Sequence, residues 1–163
     1  MNAIKNMLFI AGLAFVGITA LGAEAVEQPP TPGKPRDFNL SQPVKFHLDN
    51  GMRVTMVEYG DLPKVSVQLV IRTGNLNEGS RTWLADFTGK LMDEGTTKHS
   101  AREVADIAAS MGGGVSINVG ADETTISGDV LAEKAPQMVA LIGEIAQSPA
   151  FPPAAVERVR SDL

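Results

Sequence analysis

The spacing of apolar residues changes along the chain, and this change limits the fold more than any other feature of the sequence. Between residues 45 and 71 apolar residues recur with a period of two, which is typical of half-buried β-strands. Two such runs flank Asn50-Gly51, a dipeptide that accepts the positive φ angles of a tight hairpin turn. The sequence therefore predicts a β-hairpin and then a third strand. One face of that strand comprises Val65, Val67, Leu69 and Ile71.

Residues 83–96, WLADFTGKLMDEGT, are expected to form the first helix. Ser80 or Thr82 is the expected cap at its start, and Gly95 stands where a left-handed helix stop belongs. We expect one apolar stripe to hold this helix against the sheet. The stripe comprises Trp83, Phe87 and Leu91.

A second helix is predicted to start at Ser100, because Ser100 and Glu103 form a capping box in which each side chain satisfies a free backbone amide. Its apolar stripe ends in Met111, which we expect to lie in the core, as we do Met138 further along the chain. Gly112-Gly113-Gly114 is expected to end the helix. A phosphate-binding role for these glycines is disfavoured, because they follow a helix and have no accompanying Lys or Ser/Thr.

Two further strands are predicted in VSINVG and TTISGDVL, and helices follow them. The third helix is predicted over residues 132–148, where Pro136 is tolerated only in the first turn, and the fourth opens at Ala150-Phe-Pro-Pro and runs to Leu163. Helices are grouped instead of alternating one for one with strands. The predicted class is therefore α+β, in two layers, with a mixed, largely antiparallel sheet and helices packed on one face.

The N-terminus has the layout of a secretory signal peptide over residues 1–25. Lys5 precedes an apolar run over residues 7–21, and an A-x-A site follows. We expect cleavage after Ala25, with Ala23 as the alternative. An uncleaved membrane anchor is disfavoured, because the run is shorter than the ~20 apolar residues that a spanning helix needs.

Residues 26–43 contain five prolines and are expected to be an extended linker to a domain over residues 44–163. Cysteine is absent from the sequence, which excludes a disulfide framework, a thiolate metal site and a lipid-modified cysteine. The domain must therefore be stabilised by core packing, and its length suits a single domain. A net charge of −5 without clustered Lys or Arg argues against nucleic acid as a partner.

From Phe46 onward the chain resembles the N-terminal part of the pitrilysin/insulinase zinc peptidases, the inverzincins, which include the mitochondrial processing peptidase subunits. The resemblance rests on several short segments in a fixed order, none of which is specific alone. They are L-D-N-G-M-R-V at residues 48–54, V-S-V-Q-L-V-I-R-T-G at 65–74, Glu78, E-G-T-x-K-x-S-A-x-E at 94–103, the glycine run leading to D-x-T at 112–124, and S-P-A-F-P at 148–152.

In that family the first helix carries H-x-x-E-H, whose histidines bind zinc and whose glutamate activates a metal-bound water. The flanking L-A and E-G-T place this motif on Asp86-Phe87-Thr88-Gly89-Lys90. Asp86 could ligate zinc, but Lys90 offers no lone pair near neutral pH and Gly89 has no side chain to act as base. The resemblance thus implies that this chain has neither catalytic residues nor metal ligands, and zinc is expected only in a catalytic partner.

Other candidate ligands are weak. The third zinc ligand of the family is a glutamate that would lie beyond Leu163, and neither His47 nor His99 stands at a helical spacing from the motif. Asp86 and Lys90 are four residues apart, so we expect an i,i+4 ion pair between them. Asp93-Glu94 is expected to be a solvated helix end.

The resemblance also implies a peptide-binding edge, because in the family the substrate adds as a strand to the sheet near the metal helix. The matching strand comprises Val115, Ser116, Ile117, Asn118 and Val119. Ser116 stands where active members often carry asparagine, which weakens this inference. An edge strand that binds nothing is the alternative.

The favoured function is that of a catalytically degenerate peptidase homologue, exported to a bacterial periplasm or secreted, without a stable membrane anchor. It would act as the non-catalytic partner of a homologous subunit that carries H-x-x-E-H, and would bind peptide or unfolded polypeptide. Two alternatives remain. One is an active zinc metalloendopeptidase with an atypical site that includes Asp86, and the other is a non-functional gene fragment whose domain is incomplete at its C-terminal end.

Overall fold

A computed structural model of the chain describes residues 33–34 and 41–162. The chain divides into two compact units, Met1–Val57 and Glu58–Leu163, which are described separately. The predicted signal peptide lies outside the described residues, as does most of the predicted linker. In the part that the structure describes, no helix has the length and apolar content needed to cross a membrane.

The first unit contains the predicted β-hairpin. Strand β1 (Val44–His47) pairs antiparallel with β2 (Arg53–Met56). The turn differs in detail from the prediction, because Gly51 has a positive φ of 83° and Asn50 does not. The Gly51 N–H donates to the Leu48 carbonyl at 2.8 Å. A glycine in the left-handed region at the end of a longer loop therefore closes this hairpin.

The second unit contains an antiparallel sheet of three strands in the order β3-β5-β4. The strands are β3 (Lys64–Ile71), β4 (Val115–Val119) and β5 (Thr124–Leu131). The central strand aligns Ile126 with Leu69 on one side and with Ile117 on the other. Side chains of directly paired residues lie on the same face, so this register places the apolar residues of all three strands together.

Four helices follow the predicted order. They are α1 (Leu84–Met92), α2 (Ala101–Ser110), α3 (Ala135–Gln147) and α4 (Pro153–Ser161), with 3₁₀ turns at Asn75–Asn77 and Ala132–Lys134. Pro136 lies in the first turn of α3, where its missing N–H breaks no helical hydrogen bond.

The main core lies between the helices and one face of the three-stranded sheet. Its buried residues are Met92, Ala108, Met111, Ile126, Val130, Met138, Leu141, Ile142 and Ile145. The opposite face carries exposed polar residues such as Ser66, Gln68 and Asp129. The prediction of an α+β fold with helices on one face is confirmed, and every described strand pairing is antiparallel.

Both ends of α2 form as predicted. The Ser100 N–H donates to Glu103 Oε2 at 2.8 Å, and this hydrogen bond lowers the pKa of the Glu103 carboxyl. At the other end Gly112 has a φ of 81°. A Cβ at Gly113 would lie 1.6 Å from the Asp129 carbonyl oxygen, so the chain passes against β5 at a distance only glycine permits.

Candidate functional site

The loop before α1 is fixed against the turn between β4 and β5. The Asn75 N–H donates to the Gly120 carbonyl at 3.1 Å, and the Leu76 N–H donates to the Ala121 carbonyl at 2.8 Å. A Cβ at Gly74 would lie 2.3 Å from the Gly120 oxygen, so this approach requires glycine. The loop consequently delivers Glu78 to the start of α1.

Glu78 caps α1, and the predicted caps Ser80 and Thr82 do not. Its two carboxylate oxygens accept hydrogen bonds from the Trp83 N–H at 2.9 Å and the Ala85 N–H at 2.7 Å. One carboxylate thus satisfies two of the free amides at the helix start, and its charge suits the positive end of the helix dipole. The prediction was wrong because it considered only short polar side chains next to the helix.

The apolar stripe of α1 does not rest on the sheet as predicted. Trp83 lies at the helix start with 54% of its surface exposed. Phe87 and Leu91 pack instead against Ala155 and Val159 of α4, in a second, smaller core cluster. The stripe therefore joins two helices, and another face of α1 contacts the sheet.

Gly89 and Met92 form the face of α1 that lies on the sheet side. Met92 belongs to the main core, and Gly89 is buried. A Cβ at Gly89 would lie 2.5 Å from Cγ2 of Val119 and 3.9 Å from Cγ2 of Ile117. Helix α1 therefore lies directly on β4, and the space beside residue 89 is already filled by a β4 side chain.

The remaining motif positions carry no polar contacts that define a site. Asp86 Oδ2 is buried without a hydrogen-bond partner, while Lys90 is exposed. The predicted Asp86–Lys90 ion pair is absent from the ion pairs of residues 41–162. The pair does not form because one carboxylate oxygen is turned inward and the ammonium group stays in solvent.

These residues do not fit a zinc ion. Asp86 supplies one orphaned oxygen, but Val119 fills the space at position 89 and the ammonium group of Lys90 cannot ligate metal. His47 is exposed on β1, and His99 is hydrogen-bonded to Glu144. No group of three or more His, Cys, Asp or Glu residues within the described ranges could hold a metal ion.

A polar cluster that sequence analysis missed anchors the loop after α1. Thr96 is 5% exposed, and its hydroxyl donates to Glu144 of α3 while accepting from the N–H groups of Lys98 at 3.1 Å and His99 at 2.9 Å. His99 Nδ1 lies 2.9 Å from the same Glu144 oxygen. The Thr96 hydroxyl and then His99 lower the pKa of Glu144. The Thr96–Glu144 contact spans 48 residues, so no local sequence pattern could have revealed it.

The helix end at Asp93-Glu94 is only partly solvated. Asp93 is exposed, as predicted, although partial desolvation and then Glu94 raise the pKa of its carboxyl. Glu94 is half-buried and forms an ion pair with Arg158 of α4, which corrects the prediction. This pair joins the end of α1 to α4 beside the smaller core cluster.

Strand β4 is an edge of the three-stranded sheet, because in the described part of the chain it pairs only with β5. Ser116 and Asn118 are exposed on its outer face. Val115, Ile117 and Val119 are half-buried toward the helices. The candidate peptide-binding strand thus lies directly under α1, and the unpaired backbone groups along its free edge are available to another strand.

A cavity of about 220 Å³ lies beside α1, and sequence analysis gave no sign of it. Its walls come from one face of α1, from the loop before it and from the ends of β3 and β5. Most of the polar groups there are already engaged: Thr88 Oγ1 donates to the Leu84 carbonyl and Thr124 Oγ1 to the Thr73 carbonyl. The cavity is therefore mainly an apolar space.

Fold and site together define an α+β domain with a peptidase-like helix that carries no set of metal ligands. The family model for insulinase (peptidase family M16) matches residues 53–163. The chain therefore belongs to this family, and it is an M16 peptidase-like domain.

Individual relatives agree with this assignment. An uncharacterised zinc protease of Rickettsia bellii strain RML369-C is 26% identical over 116 residues, which cover 71% of this chain and 27% of that protein. The peptidase M16 inactive domain from Pseudomonas fluorescens has the same fold, with a TM-score of 0.69 at 20% identity over 75% of this chain and 30% of that one.

The periplasmic protease PqqL from Escherichia coli is also similar, with a TM-score of 0.65 at 25% identity. The match covers 78% of this chain and 15% of that one. The chain thus spans less than a third of the length of each of these relatives.

Proposed function

We propose that this M16 domain is catalytically degenerate and binds peptide or unfolded polypeptide as the non-catalytic partner of a homologous subunit that carries H-x-x-E-H. In this role it provides a binding surface and assembly contacts, while zinc and the general base belong to the partner. The predicted signal peptide supports a periplasmic setting, and one similar protein is itself described as a periplasmic protease.

The contact between Gly89 and Val119 carries this proposal. A general base at position 89 would have to be a side chain such as that of glutamate. The Cβ of any side chain there would lie 2.5 Å from a Val119 methyl group. Non-bonded carbon atoms attract each other most strongly at about 3.5–4.0 Å, so a Cβ at position 89 would overlap with the Val119 methyl group. Catalysis is thus opposed by the packing as well as by the missing residues.

Peptide binding does not require those residues. A strand that adds to the edge of β4 gains affinity from backbone hydrogen bonds, whatever its side chains. Helix α1 supports β4 from the core side through Gly89, while Ser116 and Asn118 remain exposed. A rigidly held edge strand loses little conformational entropy when a partner strand pairs with it.

Metal analysis tests the degenerate part of the proposal. The purified protein is dialysed against zinc, the free metal is removed, and an H-x-x-E-H homologue is treated in parallel. We expect about one zinc per chain in the homologue, as the three-ligand catalytic site requires, and far less than one here. Near-stoichiometric zinc that disappears in Asp86→Ala, together with cleavage of an unfolded substrate by the purified chain alone, would establish the atypical zinc metalloendopeptidase instead, which the orphaned Asp86 oxygen favours.

Hydrogen–deuterium exchange tests the binding strand. We expect a capped eight-residue peptide of alternating Val and Lys to slow exchange in β4 and to leave β3 unchanged. The outer strand β3 is the matched control, because among the strands that the structure describes it is the other edge of the same sheet. Equal protection of both strands, or none, would contradict specific binding at β4.

The partner role is tested by mixing the protein with an H-x-x-E-H homologue from the same organism. We expect the two to co-elute in size-exclusion chromatography and the homologue's cleavage of an unfolded substrate to change. Separate elution with unchanged proteolysis would overturn this part of the proposal and leave peptide binding as an independent question.

A further inference from the structure

A groove of about 330 Å³ lies beside the start of α1, on the side of the helix that carries Phe87. Its walls come from the loop before α1, the first turn of α1 and the last turn of α4. The lining residues are Arg81, Thr82, Trp83, Leu84, Phe87 and Arg160. Apolar surface forms much of the groove, and the two guanidinium groups come from separate elements.

Trp83 is held in this groove by an unusual backbone conformation. Its φ of 72° and ψ of 6° lie in the left-handed region, which bulky residues rarely adopt. The hydrogen bond from its N–H to Glu78 at 2.9 Å helps to fix this geometry. Strained residues that the surrounding structure holds in place tend to occur at binding sites. Here the strain presents the only tryptophan of the chain, 54% exposed, at the groove.

The two arginines of the groove are available for a ligand. Arg81 and Arg160 are exposed, and neither takes part in an ion pair with any residue in 41–162. Arg158, two residues earlier and therefore on the other side of α4, is already paired with Glu94 and Asp162. In a chain of net charge −5, two guanidinium groups that pair with none of the described residues lie at one apolar groove and form a local site for an anion.

We propose that this groove binds an acidic peptide segment in which carboxylates flank an aromatic or branched apolar side chain. The apolar side chain packs on Trp83, Leu84 and Phe87. The carboxylates pair with Arg81 and Arg160, whose planar guanidinium groups donate two parallel hydrogen bonds to a carboxylate. The groove lies on α1 and α4, so it is separate from the β4 edge and does not depend on the proposed function.

A short peptide suits the groove better than a polyanion does. The amides at the start of α1, which would otherwise attract phosphate, are occupied by Glu78. Two guanidinium groups also provide little attraction for a nucleic acid that must approach an acidic protein. The combination of two cations with three apolar side chains matches carboxylates placed beside an apolar group.

The single tryptophan makes the test direct. The probe is the peptide Glu-Phe-Glu, acetylated and amidated so that only side-chain carboxylates are present, and the readout is Trp83 emission in the intact chain. We expect a saturable shift in emission that weakens as salt is added. Gln-Phe-Gln and Glu-Gly-Glu should each bind at least several-fold more weakly, and Lys-Phe-Lys should give no shift.

Variants assign the binding to the groove. Arg81→Gln and Arg160→Gln should each weaken binding about threefold, and the double variant about tenfold, which is the range for solvent-exposed charge pairs. Arg102→Gln is the matched control, because Arg102 is an exposed arginine on α2. Circular dichroism confirms that each variant is folded, and calorimetry repeats the titration without relying on fluorescence.

Three results would overturn the proposal: no saturable shift with Glu-Phe-Glu, equal binding of Gln-Phe-Gln, or unchanged binding in the double variant. Tighter binding of an oligothymidine than of the acidic peptide would assign the groove to nucleic acid and would overturn it as well. None of these results bears on strand addition at β4, which exchange measurements test separately.

Discussion

Residues 86–90 differ from the segments on either side of them in how many of their polar side-chain groups form hydrogen bonds. Within the motif positions, Asp86 has a buried oxygen without a partner and Lys90 extends into solvent. Immediately outside, Glu78 satisfies two amides at the start of α1, and Thr96 makes several hydrogen bonds beyond its end. The supports of the helix are intact, while Asp86 keeps an oxygen without a partner and Lys90 forms no ion pair with any described residue.

This difference indicates that the position of α1 does not depend on the side chains at Asp86 and Lys90. Glu78 and Thr96 determine where α1 begins and how the chain leaves it, and packing on α4 and β4 does the rest. None of these interactions involves a metal ligand. The placement of α1 therefore does not require H-x-x-E-H at residues 86–90.

The largest effect is expected at Thr96. Thr96→Val removes the donor to Glu144 and leaves the Lys98 and His99 amides without their acceptor. Because buried polar groups without partners cost about 1–3 kcal/mol each, we expect the free energy of unfolding to fall by about 3 kcal/mol. Urea denaturation measures it. Thr96→Ser keeps the hydroxyl and should lose much less, and equal losses would show that the hydrogen bonds contribute little.

The second-largest loss of stability is expected at Glu78. Glu78→Ala frees the Trp83 and Ala85 amides and is expected to reduce the free energy of unfolding by about 2 kcal/mol, the upper range for loss of a helix cap. Glu78→Gln retains an acceptor oxygen and should lie between alanine and the native residue. Thermal unfolding of the three proteins provides the ranking. A loss from Ser80→Ala or Thr82→Ala as large as that from Glu78→Ala would refute the assignment of the cap.

Substitution of Gly89 tests the contact between α1 and β4. Gly89→Ala gains up to about 1 kcal/mol of helix propensity but must displace a Val119 methyl, and overpacking costs about 1–3 kcal/mol. We expect a net loss of stability of about 1 kcal/mol. In a Val119→Ala background the same substitution should stabilise, because the space is then open. A double-mutant cycle without coupling between the two positions would exclude the contact as the reason.

Lowering the pH should weaken the hydrogen-bonded cluster around Thr96, because Glu144 becomes protonated. The hydrogen bond from Thr96 and the neighbouring His99 hold the folded-state pKa of Glu144 below its ordinary value of 4.5. A lowered pKa in the folded state means that this stabilisation is complete above pH 4.5 and is lost as the pH falls through the lower, folded-state pKa. Denaturation at a series of pH values should show a shallower acid loss in Glu144→Gln, and parallel curves would contradict this reading.

The smallest effect is expected at Lys90. Because Lys90 is exposed and forms no ion pair with any described residue, Lys90→Ala should change the free energy of unfolding by less than about 0.5 kcal/mol. Lys98→Ala is a surface control of the same residue type. A loss above 1 kcal/mol at Lys90 alone would show that the motif positions retain a structural role. Residues 86–90 would then not differ from Glu78 and Thr96 in their contribution to stability.

The local elements were predictable because their signals are local. The hairpin, the Ser100–Glu103 capping box, the glycine run after α2 and the first-turn Pro136 each depend on residues within a few positions of one another. The contacts that were not predicted depend on the path of the folded chain. Glu78 caps α1 in place of Ser80 or Thr82 because the loop turns its carboxylate toward the Trp83 and Ala85 amides, and Thr96 meets Glu144 across 48 residues.

The sequence alone determined the kind and order of the elements, the α+β class and the absence of H-x-x-E-H, since periodicity, capping and residue identity are properties of the chain itself. Tertiary structure decided what α1 rests on, that Asp86 and Lys90 stay apart and that Thr96 meets Glu144. Those outcomes depend on side chains that only close packing brings together. Gly89 shows both levels: the sequence alone shows that position 89 has no side chain, and only the structure shows that a Cβ there would press against Val119.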